Sequence, residues 1–170
     1  MFKLKQLYKT QDVNHLKIPS NCQLVIFDLD DTLHTKKTTQ INIDIIDILQ
    51  LLKNNGVKIA LVSLNSIAEF YLDRYNIYSF FDCIERKKYD QTKRYQKYSK
   101  TFMYKRVVEK FNIPYENVLV FDDNWYHCLE AGWLGIKSIT IKSNYLFDWN
   151  HFKRGIRLFD KRFLKNISLN

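Results

Sequence analysis

The feature that most constrains this chain is a short apolar run that ends in clustered carboxylates, Leu24-Val25-Ile26-Phe27 followed by Asp28-Leu29-Asp30-Asp31-Thr32-Leu33. Four apolar residues in succession, without polar alternation, suit a strand buried on both faces, and such strands belong to parallel sheets covered by helices. The pattern recurs. Val57 to Val62 (VKIALV) runs into Ser63, Leu64 and Asn65, and Val118 to Phe121 (VLVF) runs into Asp122 and Asp123. Helical spacing separates the runs: Ile45, Ile46, Ile48, Leu49 and Leu52 predict a helix from Ile43 to Leu52, stopped by Asn54-Asn55-Gly56. Further helices are predicted for Ile67 to Tyr75, Thr101 to Phe111 and Trp125 to Leu134, with a short strand in Phe80 to Ile84 and a last strand from Ile136 to Ile141. Strands alternating with helices predict an α/β fold: a Rossmann-like three-layer α/β/α sandwich around a central parallel sheet with right-handed crossovers.

Length and composition set the remaining bounds. The 170 residues suit one domain, with a core of about 21–145, an N-terminal arm over 1–20 and a basic amphipathic helix over about 149–165. No apolar run reaches the length of a membrane span, and the N-terminal segment lacks the apolar centre of a signal peptide, so the expected location is cytoplasmic with no membrane partner. Cys22, Cys83 and Cys128 are odd in number and fit no metal template, so they read as free thiols, and the scattered histidines form no zinc pattern. A net charge of +9, from 27 basic and 18 acidic residues, favours anionic partners. Either a monomer or a dimer is compatible with this sequence.

In an open parallel sheet, ligands bind outside the carboxyl ends of the strands. Three strand ends here bring Asp28, Asp30, Ser63, Asp122 and Asp123 to one rim. Carboxylates gathered in a cleft repel one another and call for a cation. Oxygen-only donors favour a hard ion, and Mg2+ is the expected one. Other polar residues nearby have plainer roles. Asp31 reads as a turn residue, Asn124 and His127 as the start of a helix, and Trp125, Trp133 and Trp149 as packing groups. Asn65 and Ser63 suit either substrate contact or helix capping.

These residues carry a family resemblance. Asp28-Leu29-Asp30-Asp31-Thr32 after a strand, Ser63 after the second strand, Lys100 before a helix, and Asp122-Asp123 after Val118–Phe121 are similar, in order and placement, to the four motifs of the haloacid dehalogenase (HAD) superfamily. The likeness spans about residues 23–142, and Tyr98-Ser99-Lys100 through Asp123 looks most like the capless magnesium-dependent phosphatases. The resemblance implies that Asp28 is a nucleophile forming an aspartyl-phosphate and that Asp30 is the acid/base, its backbone carbonyl also binding metal. Lys100, preferred over Lys97 and Lys105, would offset charge between nucleophile and phosphate. Ser63, Leu64, Asn65 and Lys100 would hold the substrate phosphate. Asp123 would be the third metal ligand, with Asp122, at the position of a family glycine, either reaching the metal through water or orienting Lys100. Thr32 would tie down the turn beside Asp30.

Family members often carry a cap domain. Between Asp31 and Ile43 there is room for a hairpin flap only, and the stretch from Ser66 to Lys100 already holds a helix and a strand, so no large cap is expected. An open site suits a phosphorylated substrate, macromolecular or small: a phosphoprotein or a sugar phosphate. The alternative substrate is a nucleic-acid terminal phosphate. Segment 86–100 mixes Arg86, Lys87, Lys88, Lys93, Arg94, Lys97 and Lys100 with Tyr89, Tyr95 and Tyr98, and segment 153–165 holds Lys153, Arg154, Arg157, Lys161, Arg162 and Lys165. The plainer account of both is a solvated basic surface. A third class is a catalytically silent binding module on the same fold.

Overall fold

A computed structural model of the chain describes residues 16–87, 99–142 and 146–163. The element order is β1 (Leu24–Phe27), α1 (Asp44–Asn54), β2 (Lys58–Ser63), α2 (Ala68–Arg74), β3 (Cys83–Arg86), α3 (Thr101–Phe111), β4 (Val118–Asp122), α4 (Trp125–Trp133), β5 (Lys137–Thr140) and α5 (Trp149–Ile156). The strands form one five-stranded sheet in the order β3-β2-β1-β4-β5, and every pairing is parallel.

Strand periodicity divides the core in two. Val25, Phe27, Ile59, Leu61, Leu119 and Phe121 point to one face and pack with Ile45, Ile48 and Leu52 of α1 and Phe152 and Ile156 of α5. Leu24, Ile26, Ala60, Val62, Val118 and Val120 point to the other, against Met103, Tyr104 and Val107 of α3 and Ala131 of α4. β1 is fully buried, as a central strand flanked by two layers must be. Local chemistry sets the helix ends. α1 carries Asp44 and Asp47 in its first turn and Lys53 in its last, matching its dipole. α3 stops where Asn112 turns left-handed, two residues before Pro114.

The expected fold class is the one observed, with two local differences. The third strand was expected over Phe80 to Ile84, but Tyr78–Phe80 forms a 3-10 turn and β3 runs Cys83–Arg86. An edge strand paired on one side tolerates Glu85 and Arg86, which an apolar search passes over. The C-terminal helix, expected over about 149–165, ends at Ile156, and turns follow through Phe163. Residues 1–15 of the N-terminal arm and 88–98 of the basic, tyrosine-rich segment lie outside the described residues.

α5 sits so close to the sheet that Gly155 has no room for a side chain. A Cβ there would lie 2.6 Å from Phe121 Cζ and 2.8 Å from Leu119 Cδ2. Gly155→Ala is therefore expected to destabilise the fold by about 1–3 kcal/mol despite alanine's higher helix propensity. Urea denaturation measures this, and an unchanged or increased stability would contradict the packing.

Candidate active site

The sheet register builds the centre. Phe27 of β1 pairs with Leu61 of β2 and Phe121 of β4, so Asp28 leaves β1 level with Asp122 at the end of β4. The Asp28 N–H donates to Phe121 O at 2.9 Å, which fixes the two carboxylates side by side. Lys100, at the start of α3, reaches between them. Its Nζ donates to Asp28 Oδ1 at 2.6 Å and to Asp122 Oδ2 at 2.7 Å, and all three residues are buried. Lys100 is thus the lysine that lies between these carboxyls, and Lys97 lies outside the described residues.

Glu130 of α4, itself buried, holds the lysine loop. It accepts the Lys100 N–H at 2.9 Å, the Thr101 hydroxyl at 3.1 Å and the Ser99 hydroxyl. Asp122 has further donors. The Asn124 N–H reaches Oδ1 at 2.9 Å, the Tyr104 hydroxyl reaches Oδ2 at 3.3 Å, and His127 Nδ1 lies 3.2 Å from Oδ1. Asp28 takes the Thr32 hydroxyl on Oδ2 at 3.3 Å. Asn124 caps α4 through its contact with the Tyr126 N–H.

Sharing one cation divides the two carboxyls. Burial pushes Asp28 up to about 7, with Lys100 pulling against it and Asp122 adding to it. Burial opposes Asp122 too, but Lys100 and then His127 hold it below the usual carboxylate range. Lys100 is held above its ordinary value because Asp28 and Asp122 together outweigh its burial. Asp123 is raised, by burial first and by Asp122 second.

Asp28, Asp122 and Asp123 each offer an oxygen within 4.8 Å of the others. Lys100 supplies one positive charge to these three carboxyls, so the cluster keeps the oxygen donors and the charge that suit a hard cation. Asp122 thus both orients Lys100 and lies within the candidate ligand group.

Asp30 stands apart from this cluster. Asn65 Nδ2 donates to its Oδ1 and Oδ2 at 3.2 and 3.3 Å, and His34 Nε2 lies 2.8 Å from Oδ1. Burial alone would raise Asp30, but the bonds from His34 and Asn65 hold it below the usual value. Ser63 is buried and accepts the Asn65 N–H at 3.1 Å, and Asn65 Oδ1 accepts the Ile67 N–H at 3.0 Å. Asn65 therefore meets Asp30 and shapes the turn into α2 at once. Leu64 is half-buried between them. Asp31 takes a left-handed turn conformation, with φ 57°, and its Oδ1 accepts the Lys36 N–H at 3.1 Å.

Three sequence expectations need correction or addition. Trp125 and Trp133 do not pack inward: they are 67% and 64% exposed, whereas Trp149 is buried. Helical spacing puts Trp125, Leu129 and Trp133 on the side of α4 opposite the buried Glu130 and Ala131. His127 does more than begin a helix, since it meets Asp122. His34, Tyr104 and Glu130 went unnoticed in the sequence. Only His34 carries a local signal, four residues after Asp30.

Two predictions follow from the buried charges. Lys100→Met, which leaves two carboxyls facing one another, is expected to cost about 3–5 kcal/mol at pH 8. Adding Asp122→Asn recovers part of that loss, and additive losses on urea denaturation would contradict the shared-cation account. The second concerns pH. Asp28 has an ordinary pKa of 3.8 and a folded value of about 7, so between them the folded chain holds a proton that the unfolded chain releases. This group's contribution to stability therefore falls as pH rises through that window. Asp28→Asn removes that part of the slope in chelator-treated protein, and an unchanged slope would contradict it.

Comparison with known proteins gives a family and a fold. A family model described as Acid Phosphatase matches residues 34–162. No curated protein matches the chain. Among solved structures, the chain is similar to a HAD-superfamily hydrolase from Ehrlichia chaffeensis, at 17% identity and a TM-score of 0.60, covering 85% of this chain and 98% of that one. It is also similar to a haloacid dehalogenase-like hydrolase from Streptococcus pneumoniae, at 13% identity and a TM-score of 0.59, covering 83% and 92%. CbbY from Rhodobacter sphaeroides, solved in complex with phosphate, aligns at 12% identity and a TM-score of 0.59, covering 71% and 86%. At these identities the structural likenesses speak for the fold.

Proposed function

The chain belongs to the acid phosphatase family of HAD-like phosphatases, and from that premise we propose that it hydrolyses phosphate monoesters with Mg2+ through an aspartyl-phosphate on Asp28. The observation that carries this reading is Lys100 Nζ, buried and bonded to Asp28 at 2.6 Å and Asp122 at 2.7 Å beside Asp123.

Asp28 is the nucleophile. It faces the rim where β1 ends, and Lys100 and Thr32 hold its two oxygens apart in orientation. An anionic phosphate approaching a carboxylate meets repulsion, which Lys100 offsets. Asp28, Asp123 and the Asp30 backbone carbonyl would hold Mg2+, with Asp122 beside them, and a bound Mg2+ supplies further positive charge to the phosphoryl oxygens. Ser63, Leu64 and Asn65, at the end of β2, bind the remaining oxygens through hydroxyl, amide and backbone N–H groups.

Asp30 enters the step protonated, against the lowered value that the His34 and Asn65 bonds give it, and hands that proton to the departing ester oxygen as the Asp28–phosphorus bond forms. It then takes a proton from the water that attacks phosphorus and frees Asp28. Its side chain is 20% exposed, so it can meet both the leaving group and water.

The described elements belong to the sheet and its flanking helices, with a flap over residues 31–41 held by bridges from His34 to Asp30 and Ile41. Such a site suits a phosphoprotein or a sugar phosphate. For the nucleic-acid alternative, residues 88–98 of the basic segment lie outside the described residues. Within the rest of it, Arg86 is paired with Glu69 at 3.0 Å.

Wild type is expected to hydrolyse p-nitrophenyl phosphate with Mg2+ and to lose turnover in chelator, and Asp28→Asn lowers kcat by roughly 1000-fold or more. Colorimetric kinetics decide the matter. Turnover retained in Asp28→Asn would exclude this nucleophile, and a folded wild type without turnover on a panel of phosphate esters would favour a silent binding module.

A further inference from the structure

Asp30 is held from two sides, and one of its two partners belongs to none of the roles assigned so far. His34, on the flap, is 1% exposed, and both of its ring nitrogens are engaged. Nε2 lies 2.8 Å from Asp30 Oδ1 and Nδ1 lies 2.7 Å from the Tyr75 hydroxyl. The Tyr75 hydroxyl gives its one proton to Thr39 O at 2.7 Å. It must therefore accept from His34, which places a proton on Nδ1 and leaves Nε2 to face the carboxyl. Two lone pairs would not sit 2.8 Å apart, so a proton lies between Nε2 and Oδ1.

Packing leaves the imidazole little freedom. Tyr71 meets the ring edge-on at 4.6 Å between centroids and Tyr75 at 5.8 Å. The His34 backbone is tied as well: its N–H donates to Leu29 O at 3.1 Å, and its carbonyl accepts the Asp31 N–H at 2.7 Å. The chain Thr39–Tyr75–His34–Asp30 thus joins the flap and the end of α2 to one carboxyl oxygen. Asn65 Nδ2 approaches both oxygens of that carboxyl from the end of β2, at 3.2 and 3.3 Å.

We propose that His34 is a positioning residue for the acid/base: anchored by Tyr75 and Thr39, it fixes the Asp30 carboxyl in the orientation that delivers a proton to the leaving oxygen. The proposal rests on the reading of Asp30 given above. In the step concerned, the Asp28 oxygen bonds to phosphorus, the phosphorus–ester oxygen bond breaks, and the Asp30 proton passes to that oxygen, releasing an alcohol. A misaimed acid harms poor leaving groups most, because they depend most on protonation.

The test is kcat/KM with Mg2+ for p-nitrophenyl phosphate, phenyl phosphate and an alkyl phosphate. His34→Phe keeps the ring against Tyr71 and removes both hydrogen bonds. It is expected to leave p-nitrophenyl phosphate within roughly 3-fold of wild type while the alkyl phosphate falls by roughly 10-fold or more. His34→Gln restores a donor toward Asp30 and recovers most of the alkyl rate. Tyr75→Phe, which loses one hydroxyl only, shows the same leaving-group pattern in weaker form and decides the matter should His34→Phe fail to fold. An equal fall across the series, or none, in the folded variants overturns the proposal. Asp30→Asn run beside them separates the two claims. If it steepens the series while His34→Phe and Tyr75→Phe do not, the proposal alone fails. If Asp30→Asn itself leaves the series unsteepened, the acid/base reading fails with it.

Discussion

Everything at this site depends on one buried cation shared by two carboxylates. Lys100 can sit between Asp28 and Asp122 only because β1 and β4 are adjacent and in register, with Phe27 opposite Phe121. An unpaired charge at such depth would be costly, so the arrangement holds only while all three groups stay in place. Glu130 secures the third member from behind by holding the backbone of the lysine loop. The demand for charge balance therefore reaches from the sheet into α3 and α4.

The same balance explains the uneven chemistry of the carboxyls. Asp122 gathers Lys100, Tyr104, His127 and a backbone N–H, and it stays ionised. Among the described residues the Asp28 carboxyl has Lys100 and Thr32 as side-chain partners, and burial raises it. The less supported carboxylate is the one turned toward the rim, where an incoming phosphate and a cation would complete its surroundings. Asp30 lies outside this competition, held by Asn65 and His34.

Much of this was legible in the sequence, for a physical reason. Buried parallel strands are continuous apolar runs, and residues just past their carboxyl ends converge on one rim, so Asp28, Ser63, Asp122 and Asp123 could be placed together without coordinates. Lys100 was marked by its resemblance to the family's third motif, since Lys97 and Lys105 lie close by in the sequence. The supporting residues were not legible, because their partners are remote in sequence. Glu130 meets Lys100 across thirty residues, and His34 meets Tyr75 across forty-one. No local pattern encodes such pairs. The exposed Trp125 and Trp133 misled in the opposite direction: bulk suggests burial, but helix phase decides it. β3 was misplaced because an edge strand needs less apolar character than a central one.

Covalent trapping tests the central claim most directly. The protein is incubated with Mg2+ and a small phosphate donor, reduced with borohydride to convert any aspartyl-phosphate to homoserine, and mapped by peptide mass spectrometry. The account expects homoserine at position 28 and nowhere else. Sustained phosphate release with Asp28 unmodified, or the phosphoryl group found on another residue such as His127, would contradict it.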